Sequence, residues 1–132
     1  MLSVEMVGYY DEEWWGQEYP IPLLYLFYPF HGNFLALISG FNEYLSIRPL
    51  KGKLNAAMDL EVYSLNAPVA VPGIDFSDHL NYWKFGIESY MLSDTSFYRN
   101  KHYHKKSDTI EKLNFKKMEE VVSRLYNLVV SD

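Results

Sequence analysis

The stretch Asn33 to Ser39 (NFLALIS) is a near-continuous apolar run. Such a run reads as a strand buried on both faces, which requires covering layers above and below it. Three further stretches read as strands. Leu2 to Tyr10 alternates loosely and is rich in β-formers, ending near Gly8 to Tyr10, and Leu60 to Leu65 and Ile87 to Leu92 follow.

Helical signals lie between them. Asn42 can cap a segment reaching about Met58, although Pro49 and Gly52 fall inside it. A mid-helix proline costs ~3 kcal/mol, so the spacing predicts a kink, or two short helices with Pro49 in the first turn of the second. Ser77 can cap a short helix to Phe85, ended by Gly86. Asn114 caps a final amphipathic helix in which Met118, Val121, Val122, Leu125 and Val129 recur at helical spacing. Alternating strands and helices specify an α/β layered fold, and 132 residues suffice for one core. The first strand begins almost at residue 1 with nothing ahead to pair it. The expectation is a sheet that continues into something this chain lacks.

Asp11 to Gly32 holds four acids, two Trp, three Pro and two Gly, and reads as a long irregular excursion. Its aromatic residues argue against disorder. Composition then excludes several functions. The net charge is −5, and Lys101, Lys105, Lys106, Lys112, Lys116 and Lys117 are interleaved with acids. A nucleic-acid surface needs a net basic stripe, so none is expected. The absence of cysteine removes disulfides, thiolate zinc sites and a thiol nucleophile. The apolar run Ile21 to Phe30 is interrupted by Pro22 and Pro29 and is too short to span a bilayer. No export signal opens the sequence as given.

Four histidines are present: His31, His79, His102 and His104. His102 and His104 would share a face if that stretch is extended; the alternative is a solvated pair on a loop. Ser77-Asp78-His79 has the residue types of a hydrolase triad, but neighbours on a helix point different ways. No GxSxG, P-loop, GxGxxG or HExxH occurs.

A longer pattern is more specific. Val4-Glu5-Met6-Val7-Gly8-Tyr9, then Gly16-Gln17-Glu18-Tyr19-Pro20, resembles the "LEMIGY … GSQ-YP" stretch of co-catalytic di-zinc exopeptidases. That family includes bacterial leucyl aminopeptidases, glutamate carboxypeptidase and glutaminyl cyclase. The resemblance continues through Gly32-Asn33-Phe34, Val71 to His79, Asp94 to Asn100, His102-Tyr103-His104, Ser107-Asp108-Thr109 and Lys112 to Phe115. It covers nearly the whole chain and implies that residues 1–132 are one C-terminal portion of such a domain. The implied fold is the C-terminal half of a mixed sheet sandwiched by helices, with two zinc ions at the C-terminal edge of the strands.

Of five protein ligands, the resemblance places two here, Glu5 and His104. Glu5 stands where many relatives have Asp, and supplies the same hard oxygen. Tyr103 matches a tyrosine that in some aminopeptidases stabilises the tetrahedral intermediate. Asp78 lies where the family has an acid near the site, supporting the ligands from behind, and Asp108 would position the loop bearing His104. The other ligands, a His, a bridging Asp and a Glu, and the general-base Glu belong to the half that is not seen. Catalytic zinc usually needs three protein ligands and a water, so tight binding by this chain alone is not expected. The implied activity is hydrolysis of N-terminal peptide bonds once the missing half is supplied. The excursion Trp14 to Phe30 then either walls the substrate's side-chain pocket or packs as an ordinary loop.

Two other readings remain open: a non-catalytic remnant that binds a partner or self-associates through its sheet edge, and a one-metal module using His102 and His104.

Overall fold

The computed structural model describes residues 1–56 and 59–130. Four strands form one mixed sheet: β1 (Leu2–Glu5), β2 (Phe34–Ser39), β3 (Glu61–Asn66) and β4 (Tyr90–Ser93), in the order β1-β4-β2-β3. β1 runs parallel to β4 and β2 parallel to β3, while β2 and β4 are antiparallel. All six residues of β2 and all four of β4 are buried, as the apolar run at Asn33 to Ser39 predicts for central strands covered on both faces.

β1 is shorter than its sequence suggests. Met6 adopts a left-handed backbone (φ 52°), and the amides of Gly8 and Tyr9 then bond to Asp94 Oδ2 at 3.0 and 2.9 Å. The chain is thereby turned off the sheet immediately after Glu5.

Three helices complete the layers: α1 (Ile47–Asn55), α2 (His79–Trp83) and α3 (Phe115–Val130). The segment beginning near Asn42 is broken as its proline requires. A 3₁₀ turn spans Phe41–Glu43, and Pro49 falls in the first turn of α1. The expected end of that segment, Met58, lies outside the described residues. Ser77 does not cap α2, which is shorter than expected and begins without a side-chain cap; the Ser77 hydroxyl bonds to Ser3 Oγ instead. Asn114 does cap α3, accepting the Lys117 amide at 3.1 Å.

Each sheet face carries its own core. On one, Leu35, Leu37, Val62 and Leu92 pack with Ile47 and Leu54 of α1 and Val121 of α3. On the other, Phe34, Ala36, Ile38 and Met91 pack with Ile74 and with Trp83 of α2. The sheet therefore has helices on both faces. Of the α3 residues expected on one apolar face, Val121 is buried and Leu125 is packed against the core, but Val122 and Val129 face solvent. The apolar arc of α3 is wider than the sheet beneath it can cover. No helix among the described residues is long and apolar enough to cross a membrane.

Candidate active site

Glu5 closes β1, and its carboxylate accepts a hydrogen bond from Ser77 Oγ at 3.3 Å. It opens onto a cavity of about 860 Å³, counted with its solvent-open mouth. The floor is the sheet face opposite α1 and α3: Ala36 and Ile38 of β2, Tyr63 and Leu65 of β3, Met91 and Ser93 of β4. The walls come from Tyr19, Leu24 and Tyr28 of the long excursion, from Pro72, Gly73, Ile74 and Phe76, and from Thr95 to Tyr98 together with Tyr103. The lining is mainly aromatic and aliphatic with a few polar groups at one end, the usual character of a small-molecule pocket.

The excursion reaches the cavity and also packs on itself. Tyr19, Leu24 and Tyr28 line the cavity, while Trp14 and Tyr25 stack on Phe30 and Trp15 meets Tyr25 and Phe30 edge to face, with ring centres 4.9–6.0 Å apart. The Tyr19 hydroxyl donates to Pro29 O and the Tyr28 hydroxyl to Ser64 O, both at 2.7 Å, which ties this wall to itself and to β3.

Tyr103 lines the same cavity as Glu5, and the exposed His104 ring stacks on it at 3.9 Å with a 16° interplanar angle. The segment is not extended, so His102 and His104 do not alternate as strand residues would. Asn100 turns it: its side chain accepts the His102 amide at 2.9 Å and donates to Asp108 Oδ1 at 3.1 Å. Asp108 is thus tied to the loop that bears His104. His102 turns instead to Ser107 Oγ at 3.0 Å. Asp78 is exposed, and Ser77 beside it is the residue that reaches Glu5. The Ser77-Asp78-His79 triplet does not assemble as a triad, because His79 is buried with Nε2 2.7 Å from Ile74 O. A carbonyl only accepts, so Nε2 carries the proton, and Nδ1 is left buried without a partner. Burial lowers the His79 pKa below its ordinary value.

The backbone around the cavity is strained. Non-glycine residues with positive φ are Met6, Trp15, Thr95, Ser96 and His104. Three of these line the cavity, and a fourth, His104, adjoins Tyr103. Left-handed conformations at such residues cost on the order of 1–3 kcal/mol each and cluster at functional sites.

Behind the cavity lies a polar hub that sequence reasoning missed. Arg99 is wholly buried: Nε donates to Gln17 Oε1 at 2.9 Å, and Nη1 to Phe34 O at 3.0 Å and Tyr9 O at 3.3 Å. Its guanidinium also lies 4.6 Å from the Phe34 ring centre. Burial lowers its pKa to about 10. Asp94 is raised from its ordinary value by burial, against the amide hydrogen bonds from Gly8, Tyr9 and Ser96. Gln17, Gly32, Phe34 and Arg99 all fall in the segments that carry the exopeptidase resemblance. Their convergence on one guanidinium is a tertiary fact that spacing does not encode.

The donor set bears on metal binding. Among the described residues no three or more His, Asp or Glu side chains are grouped to hold a metal ion. Glu5 and His104 alone do not make a catalytic zinc site, which needs three protein ligands.

Compared with known proteins, the chain matches no family model and no solved structure. It is 45% identical over 129 residues to an uncharacterized protein, YfbL, of Escherichia coli strain K12. That match takes in 98% of this chain but 40% of the relative, so the chain spans less than half of the relative's length.

Proposed function

We propose that this chain forms one half of a hydrolytic site of the zinc-dependent aminopeptidase kind, completed by residues from a further stretch of polypeptide. The observation that carries the reading is the shared cavity, with Glu5 and Tyr103 both on its lining and His104 stacked on Tyr103. The left-handed residues around it add support. In this reading Glu5 and His104 are two members of a larger ligand set. A metal pair held there would supply Lewis acidity for attack on a peptide carbonyl.

The chain's own residues define the rest. The Tyr103 hydroxyl serves as a hydrogen-bond donor toward a developing oxyanion. The aromatic and aliphatic cavity receives a bulky apolar side chain at the peptide N-terminus and excludes water from it. Ser77 and the Asn100–Asp108 pair restrain Glu5 and the His104 loop, as supporting hydrogen bonds do around metal ligands.

The test is hydrolysis of leucine and phenylalanine p-nitroanilides by this chain combined with the unmatched part of the Escherichia coli relative and zinc. Activity is expected that falls at least ~100-fold in Tyr103→Phe, the scale of losing one oxyanion donor. A well-folded, zinc-loaded complex without activity on any N-terminal residue contradicts the reading.

A further inference from the structure

The open edge of the sheet and one flank of α3 face the same way. β1 pairs with β4 alone, so its other side has no strand partner among the described residues. Parallel edge strands are ordinarily covered, and Leu2–Glu5 carries no proline, lysine or bulge to blunt strand addition. Val4 is exposed there.

α3 continues this surface. α1 packs on β2 and β3, and α3 packs beside α1, with Arg124 Nη1 donating to Leu54 O at 2.9 Å. The start of α3 meets the chain leaving β1, where the Asn114 amide donates to Gly8 O at 2.9 Å. Glu120 and Arg124 therefore mark the α1 side of the helix, and the opposite flank looks out past β1. At 100° per residue that flank is Phe115, Val122, Tyr126 and Val129. All four are exposed, from 57% to 77%. A solvent-facing flank of an amphipathic helix is polar; this one is not.

We infer that the β1 edge and this α3 flank form one docking surface. Its occupant is a further α/β segment that adds a strand to β1 and lays a helix beside α3. The match to the Escherichia coli relative supports that occupant over a second copy: the relative carries all but a few residues of this chain within a protein more than twice as long. An open strand edge and an apolar helix flank side by side require a strand and a helix together, which a longer α/β sheet provides. The inference stands whether or not the completed site hydrolyses peptides.

Co-expression with the part of the relative that the match leaves out tests it, read by co-purification and light scattering. A 1:1 complex is expected, lost in the double variant Val122→Glu, Tyr126→Glu and weakened at least ~10-fold in Val4→Lys. Phe85→Glu, at an equally exposed apolar residue beyond α2, leaves the complex intact. The partner segment remaining insoluble or eluting apart, while this chain stays a folded monomer, overturns the inference. So does a complex indifferent to the α3 variants, or a homodimer that those variants dissociate.

Discussion

At Arg99 a charged side chain is buried and held by three hydrogen bonds, whereas on the outer flank of α3 apolar side chains face solvent. The hub draws together segments distant in sequence, Tyr9, Gln17 and Phe34, and closes on itself. The flank draws nothing together. A buried cation is costly unless acceptors meet its donors; Nε and Nη1 find them while Nη2 stays buried without a partner, so the hub is a largely but not fully satisfied part of the fold. Exposed apolar surface beside an unpaired strand marks an unfinished one. The candidate site lies between them, anchored by the hub and opening at the end of the edge strand.

The comparison breaks first at the hub. Arg99→Leu takes the guanidinium donor from Tyr9 O and Phe34 O, and leaves Gln17 Oε1 with the Thr95 hydroxyl at 3.1 Å; it is expected to cost about 2–3 kcal/mol. Urea unfolding at unchanged m-value measures this. Gly32→Ala is next: the added Cβ would stand 2.5 Å from Arg99 Cδ and Nε, in a side chain too firmly held to swing away. Overpacking of this kind costs roughly 1–3 kcal/mol, and an Arg99→Leu background should absorb much of the loss.

A smaller effect belongs to His79. Its folded pKa lies below the ordinary 6.5, so the unfolded chain takes up the proton first as pH falls. Its contribution is complete above about pH 6.5 and is lost as pH drops toward the folded value. Thermal melts from pH 7.5 to 5 should show that decline, and His79→Gln should flatten it. Smallest of all, Val122→Glu should change the stability of the isolated chain by no more than ~0.5 kcal/mol, because nothing covers that side chain. A large loss would mean that the flank is covered after all.

The layered fold was legible because β2 advertises burial on both faces and Pro49 dictates where its segment breaks. The strand ends were less so. β1 stops at Glu5 because Asp94, far along the chain, captures the Gly8 and Tyr9 amides, and no local pattern announces that. The α3 stripe was readable as apolar, yet its width, from Val121 round to Val129, exceeded what one sheet face can bury. Glu5 and Tyr103, which line one cavity, were singled out through family resemblance rather than spacing. The pairing of Ser77 with Glu5 and the turn at Asn100 depend on contacts between separate segments, which a single sequence leaves unspecified.

The most direct test of the central claim is calorimetric titration of zinc into the purified complex of this chain with the complementary part of the relative. Two ions per complex are expected, bound at least ~100-fold more tightly than by this chain alone, with Glu5→Gln and His104→Ala each weakening one of them. Equal, weak binding by the intact complex and by the isolated chain would contradict the account.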